Sequence, residues 1–296
     1  MNARAHKSGG RERQRGMVLV IVLWIVTLLA VMAGGFAYSM RVETRLATST
    51  VERAQARALA EAGVAYAQAW QLDYESSRKA WPPNGDPHGW AFGGGRLRIE
   101  VINAHGLISL NSTGNEVLKA LFAGIGLNPA DQDRLVEKLL ERRQPNQLSM
   151  SRPTTGLEPQ GGQFESIEEL QQIEGITPAI YRRIADKVTA FSNHFGVNPE
   201  LASEDMLRAL GLDERTVADY LAARAQAGSD GPPPAPPPQP AGGGAVFSGG
   251  RGNVYHITVV AETAAKTAVV VKAVVDLRIG MGKGQGTRIL SWREGR

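Results

Sequence analysis

An uninterrupted apolar segment near the N-terminus constrains the fold of this chain more than any other feature. Residues 17–40 contain no charged side chain, and 18–29 are Val, Leu, Ile and Trp apart from one Thr. As an α-helix rising about 1.5 Å per residue, this 24-residue segment is about 36 Å long, enough to cross a hydrocarbon core of about 30 Å. No other part of the sequence is comparable. The sequence therefore predicts one membrane anchor, at the N-terminus.

The residues before this segment predict its orientation. The basic residues Arg4, Lys7, Arg11, Arg13 and Arg15 outnumber one acid, Glu12. An excess of Lys and Arg stays in the cytoplasm, so the N-terminus is expected inside and the rest of the chain is expected to be translocated across the membrane. An uncleaved signal anchor is one interpretation. A cleaved secretory signal fits less well, because the apolar run exceeds the usual 7–15 or so residues and no A-x-A site ends it.

The junction of leader and span offers a third interpretation. Gly16 stands between the short basic leader and Met17, which opens the apolar helix. This order resembles the signal of type IV prepilins and of type II secretion pseudopilins. The resemblance implies that prepilin peptidase cuts between Gly16 and Met17 and methylates the new N-terminus at Met17.

One position departs from that signal. Family members usually carry a glutamate at the fifth residue after the cut, where this chain has Ile21; its first acid after the cut is Glu43. A carboxylate within the membrane is costly unless it is paired, and in pilins its partner is understood to be the α-amino group of a neighbouring subunit. A subunit without it lacks this attraction, which implies a place at the fibre tip. The minor pseudopilin of the GspK type also lacks the glutamate, and this chain resembles that family.

Composition restricts the other function classes. Residues 1–16 account for an excess of basic residues equal to the net charge of +4 for the whole chain, so this charge does not predict nucleic-acid binding. The absence of cysteine excludes disulfides and thiolate chemistry. The sequence contains no G-x-S-x-G, H-E-x-x-H or Walker motif, and its histidines lack metal-ligand spacing. We therefore expect no enzyme activity, no catalytic residues and no cofactor-binding residues.

Hydrophobic periodicity predicts a helix followed by strands. The helix is expected to continue to about residue 72, with one face formed by Val42, Leu46, Ala54, Ala58, Ala62, Tyr66 and Trp70. Residues 73–95 read as irregular, and Arg96 to Ile102 as a strand with alternating side chains. After residue 250 the two-residue period returns at 255–259, 269–277 and 287–292, and 280–286 reads as a glycine turn. We expect these strands to pair with 96–102 in one antiparallel sheet packed on the helix.

Between these strands the chain reads as short helices. N-cap signals stand at Asn128, Ser166, Thr177 and Asp213. A loose repeat relates 110–143 to 197–224, each copy ending in an arginine-bearing helix. Generic helical packing is one interpretation of this repeat. The other, implied by the GspK resemblance, is a duplicated sterile-alpha-motif-like (SAM-like) unit.

The strongest competing hypothesis concerns residues 170–180. This segment resembles a helix–hairpin–helix, which often binds DNA backbones through backbone amides. Thr177 stands where the motif usually has its second glycine, and Glu174 adds a repelling charge. The alternative hypothesis is therefore a membrane-tethered protein that binds or takes up DNA. We do not expect a nucleic acid to be a partner of this chain.

The sequence thus predicts an α+β protein, a pilin-like long helix packed on a small antiparallel sheet with a large all-α insert. The predicted segments are the leader 1–16, the transmembrane half-helix 17–40, the first pilin-like part 41–109, the insert 110–227, the Pro/Gly-rich loop 228–245 and the C-terminal strands 246–296. The resemblance implies a minor pseudopilin that caps the pseudopilus tip and initiates assembly. It implies as partners GspI-, GspJ- and GspH-like minor pseudopilins, the inner-membrane secretion platform and prepilin peptidase. The resemblance also implies that the chain can bind calcium. Acidic residues such as Asp73, Glu75 and Asp86 lie in predicted loops, but the sequence does not identify which residues would be the ligands.

Overall fold

The computed structural model describes residues 11–73, 80–144, 162–227, 234–239, 244–278 and 286–295, with side chains from residue 17 onward. These residues form two units, Met1–Gln55 and Ala56–Arg296. The predicted glycine turn at 280–286 lies outside the described residues except for Gly286. One helix, α1 (Arg11–Leu72), contributes to both units.

The first unit is the N-terminal part of α1, and it is helical throughout its described length. Every side chain from 17 to 51 is exposed, including Trp24 at 74% and Leu19 at 71%. The Thr27 hydroxyl donates to the Leu23 carbonyl at 2.8 Å, which satisfies a polar group inside the apolar segment. An apolar helix without a protein partner in the described structure has the composition expected for a lipid environment.

The second unit contains the predicted antiparallel sheet, in the order β1-β2-β5-β6-β7. The strands are β1 (His88–Phe92), β2 (Gly95–Asn103), β5 (Val254–Glu262), β6 (Ala268–Arg278) and β7 (Gly286–Gly295). The pairing of the first strand with those after residue 250 is confirmed, since Val101 lies opposite Ile257 and Ile99 opposite Val259. The prediction that 73–95 is irregular is wrong for β1. A single strand of five residues interrupted by glycine gives little periodic signal.

The sheet packs one face on the second half of α1, as predicted. The shared core contains alternate side chains of the strands and a row of small residues on α1. The predicted helix face is only partly right. Tyr66 and Trp70 pack against this core, but Ala54 and Ala58 are exposed, and the buried residues are Ala56, Leu59, Ala60, Gly63, Val64 and Ala67. Alanines occur on both faces of this segment, so the sequence pattern does not distinguish them. A Cβ on Gly63 would lie 2.7 Å from Val259 Cγ1, so this position admits little beyond glycine.

The insert has its own hydrophobic core on the other side of the sheet. Its elements are β3 (Ile108–Ser109), α2 (Asn115–Gly124), α3 (Pro129–Arg143), a 3₁₀ helix (Ile167–Gln172), α4 (Pro178–Ile184), β4 (Val188–Thr189), α5 (Glu204–Ala209) and α6 (Glu214–Ala227). β3 and β4 form a short parallel ladder that helical periodicity does not predict. Val246 and Phe247, on the strand side of the predicted boundary at 245, also join this core. The segment boundaries themselves stay predictions.

The predicted caps are confirmed, and the two halves of the insert end their first helices alike. The side chains of Asn128, Thr177 and Asp213 accept from backbone N–H groups at helix starts, and Ser166 with Glu169 forms a capping box. Gly126 after α2 and Gly211 after α5 have φ of 81° and 86°, the left-handed conformation that ends helices.

The arginines of the repeat have matching roles. Arg143 donates to the carbonyls of Leu110 and Thr113 in the loop before α2. Arg224 donates to the carbonyls of Pro199, Glu200 and Ala202 in the loop before α5. Each guanidinium fastens the second helix of a pair to the loop that precedes the first, which is the arrangement expected of a repeated unit.

The Pro/Gly-rich segment is partly packed. Within its described residues 234–239, Pro237 is buried, and the Gln239 side-chain oxygen accepts from Val246 N–H at 2.8 Å. The sequence predicts a loose linker here because proline and glycine favour extended or flexible chain. The Gln239 amide therefore holds the middle of this segment next to Val246, which belongs to the core of the insert.

Candidate assembly site

The candidate processing site lies in the first unit. Gly16 and Met17 are consecutive residues of α1, and the Met17 side chain is 63% exposed. Ile21, one helical turn beyond Met17, is 52% exposed, and no Asp, Glu, Lys, Arg or His occurs between it and Arg41. Among the described residues, one helix is long and apolar enough to span a membrane, with a mean hydropathy of 2.8 in its most apolar window. A carboxylate at position 21 would thus have only apolar neighbours on its own helix.

The second half of α1 carries a cluster that the sequence reasoning missed. Six aromatic rings lie together where α1 meets the edge of the sheet: Tyr66, Trp70, Trp81, His88, Trp90 and Phe92. Trp90 stacks on Tyr66 with ring centroids 4.3 Å apart, and on Phe92 at 4.5 Å. Four of these rings occur between residues 81 and 92, and this local density is the signal that could have indicated the cluster.

The sheet and the insert meet at a charged cleft. His256, on the side of β5 opposite α1, contacts the Thr189 hydroxyl of β4 at 3.0 Å. Arg293 of β7 pairs with Glu168 of the 3₁₀ helix. A cleft of about 670 Å³ lies beside these contacts, lined by Arg98, Glu100 and Lys272 of the sheet and by Arg182, Lys187 and Glu204 of the insert. Burial, with a smaller contribution from Arg293, lowers the pKa of His256 to about 4.

The helix–hairpin–helix segment is present but is not built for phosphate. Gly175 adopts a φ of 95° between the 3₁₀ helix and α4, as the turn requires. The Thr177 hydroxyl accepts a hydrogen bond from Ile180 N–H at 3.2 Å. This backbone N–H at the start of α4 is therefore already bonded within the protein and is not free to bind a phosphate. Lys187, beyond the end of α4, pairs with Asp186 at 2.9 Å, which partly neutralises that basic group. This geometry does not favour the DNA-binding alternative.

The described acids do not gather into a metal site. No group of three His, Cys, Asp or Glu side chains among the described residues could hold a metal ion. Of the loop acids, Asp86 accepts from the Asn84 side-chain amide at 2.8 Å, and Glu75 lies outside the described residues. We assign no calcium ligands, and the calcium expectation stays a prediction.

Two comparisons with known proteins bear on this chain. Residues 98–193 match the family model of type II secretion system protein K. No curated protein matches the chain. Among solved structures, a chain of the GspK-GspI-GspJ complex from the enterotoxigenic Escherichia coli type 2 secretion system matches with a TM-score of 0.56 and 15% sequence identity. The match covers 84% of this chain and 98% of that chain. The resemblance to GspK-type minor pseudopilins and the pilin-like α+β fold are confirmed.

Proposed function

We propose that this chain, a relative of type II secretion protein K, is a minor pseudopilin that caps the pseudopilus tip and initiates its assembly. The observation that carries the proposal is the match of residues 98–193 to the protein K family within a pilin-like fold. The proposal also explains why a long apolar helix is joined to a sheet that packs on its second half. The chain is then a single-pass protein with its C-terminal part in the periplasm.

Maturation is the first step of the proposal. Prepilin peptidase cuts between Gly16 and Met17, methylates Met17 and so removes the basic leader. Mass spectrometry of the purified protein should find a chain that begins at N-methylated Met17. A Gly16→Val variant should retain its leader, and Gly10→Val, within the leader, should be cut normally. A mature chain that begins at Met1 would refute this step.

Assembly with other minor pseudopilins is the second step. The solved structure that this chain resembles is a complex of GspK, GspI and GspJ, and we propose that GspI-, GspJ- and GspH-like subunits of its own system bind this chain through α1. Single cysteines introduced along α1 can be crosslinked without background, because the chain contains no cysteine. Co-purification of the full chain with these subunits tests the step, and a chain that purifies alone from cells that express all of them would contradict it.

The tip position follows from two features. Ile21 cannot form the ion pair that a glutamate offers to a subunit ahead, and the insert packs on part of the sheet face opposite α1, which hinders stacking of another subunit. An Ile21→Glu variant should allow incorporation below the tip, whereas the uncharged Ile21→Gln should not. If the Ile21→Glu variant, like the wild type, crosslinks only to the subunits on one side of it, the role proposed for this residue is wrong.

A further inference from the structure

The two edges of the five-stranded sheet differ in a way that indicates a binding surface. Edge strands expose unpaired backbone groups, and proteins protect them with charges, proline or bulges. The edge strand β7 carries Arg288, Arg293 and Glu294, and its pairing with β6 shifts register at Val274/Val275. The other edge strand, β1, has the sequence His-Gly-Trp-Ala-Phe, without a Lys, Arg, Asp, Glu or Pro. In the described structure no strand continues the sheet beyond β1.

The backbone groups of β1 that point away from the sheet can be identified from its hairpin. Gly93 and Gly94, with φ of 57° and 77°, form a two-residue turn between Phe92 and Gly95. In such hairpins the pair flanking the turn exchanges both backbone hydrogen bonds, and bonded and non-bonded pairs then alternate. The outward N–H and C=O groups are therefore those of Gly89 and Ala91. Both residues are exposed, and nothing lies within 4 Å of a Cβ placed on Gly89.

The aromatic rings beside β1 define what kind of ligand fits. Trp90 is stacked between Tyr66 and Phe92, with interplanar angles of 12° and 15°. Both faces of Trp90 are thus covered by its neighbours, so this ring offers no flat platform for a sugar and no open cage for a cation. What remains accessible is a strip of ring edges and the Phe92 ring, 48% exposed. Such a strip favours apolar side chains next to a peptide backbone.

We propose that β1 takes up an extended strand of another minor pseudopilin, which extends the sheet to six strands. The ligand is a polypeptide strand because the free groups are backbone donors and acceptors at strand spacing. The partner is another pseudopilin rather than a second copy, because the strip begins at Tyr66 of α1, the helix that joins these subunits under the function proposed above. The inference rests on that function.

The opposite face of β1 adds a preference for the partner's sequence. Gly89 and Ala91 lie next to Arg98 and Arg96 of β2. These arginines pair with Glu100 and Glu262 at 3.0 and 3.6 Å, and their side chains are still 64% and 72% exposed. Because the residues between are small, a Glu or Asp on the added strand can reach across them to a guanidinium. The strand that binds therefore alternates apolar side chains toward Trp90 with acidic ones toward Arg96 and Arg98.

The test uses the full chain with its co-expressed minor pseudopilins in detergent. Hydrogen exchange of residues 88–92 should slow at least tenfold in the complex relative to the free chain. Ala91→Pro removes one outward N–H without removing a bond to β2 and should weaken association by about tenfold, because a strand-pairing bond is lost and the ring obstructs the added strand. Ala91→Ser keeps both the N–H and a small side chain and should bind as wild type does.

The outcomes separate the two proposals. A complex in which residues 88–92 exchange as fast as in the free chain, and which Ala91→Pro does not weaken, overturns the strand-addition inference and leaves the proposed function standing. Absence of any complex overturns both. Protection of β1 in the chain alone, together with a doubled mass, assigns the edge to a second copy and also overturns the inference. If Ala91→Pro fails to fold, Ala91→Glu, which keeps the backbone and places a negative charge beside the acids expected on the added strand, replaces it and should also weaken association.

Discussion

Acidification should weaken the packing of the insert on the sheet through one histidine. The pKa of His256 falls from 6.5 to about 4 on folding, chiefly because the ring is removed from water. The neutral ring is therefore favoured in the folded state, and its contribution to stability is complete above pH 6.5. Between pH 6.5 and 4 the unfolded chain binds one proton more than the folded chain, which gives a slope of about 1.4 kcal/mol per pH unit. The total loss is at most about 3 kcal/mol, because the ring keeps some solvent contact.

The assay is urea unfolding of the full chain in detergent, followed by tryptophan fluorescence between pH 7.5 and 4. Carboxylates and the other histidines also titrate in this range, so the informative quantity is the difference between wild type and His256→Gln. This difference in unfolding free energy should shrink by about 2–3 kcal/mol as the pH falls. His88→Gln, on the far face of the sheet and outside this contact, serves as the matched control. A wild-type minus His256→Gln difference that does not change with pH would refute the reasoning.

Three further predictions concern packing. Gly124→Ala should destabilise the protein by about 2 kcal/mol or more, because the added Cβ would lie 1.9 Å from the Ala209 carbonyl oxygen; Gly114→Ala, with nothing within 4 Å, should change the unfolding free energy by less than about 1 kcal/mol. Arg224→Lys should cost about 1–3 kcal/mol because an ammonium cannot bond the same set of carbonyls, whereas Arg215→Lys, with a side chain 92% exposed, should be neutral. Trp90→Ala should cost about 3 kcal/mol or more through loss of the stack on Tyr66, and Phe92→Ala distinctly less because Phe92 is half exposed. Denaturant unfolding measures each pair, and equal effects within a pair would contradict the packing argument.

Much of the candidate site followed from local sequence signals. The apolar span, Gly16, Met17 and the position of Ile21 are features of consecutive residues, so no tertiary information is needed to recognise them. The caps at Asn128, Thr177 and Asp213 were equally local, since each acts within three residues of its own position. Strand alternation in 96–102 and after residue 250 predicted the buried face of the sheet because side chains alternate with a period of two.

Other features depend on residues distant in sequence and could not be predicted in this way. Ala56, Ala60 and Ala67 are buried because the sheet packs on that side of α1. Alanine is compatible with a buried or an exposed face, so the sequence does not distinguish the two. The strand β1 is an exception, because Gly93 and Gly94 pair it with the next strand along the chain; it was missed because its five residues carry little periodic signal. The contact of His256 with Thr189 joins residues 67 positions apart, and the pKa of the histidine is a property of that packing alone.

The sequence by itself determined the apolar helix near the N-terminus, the helix ends and the strand faces, because these depend on hydrophobicity and hydrogen bonding within one or two turns. Tertiary structure decided which surface of α1 is buried, which edge of the sheet stays unprotected and which histidine is removed from water. Each of these depends on the free energy of packing two or more segments together, which cannot be calculated from the composition of one segment alone.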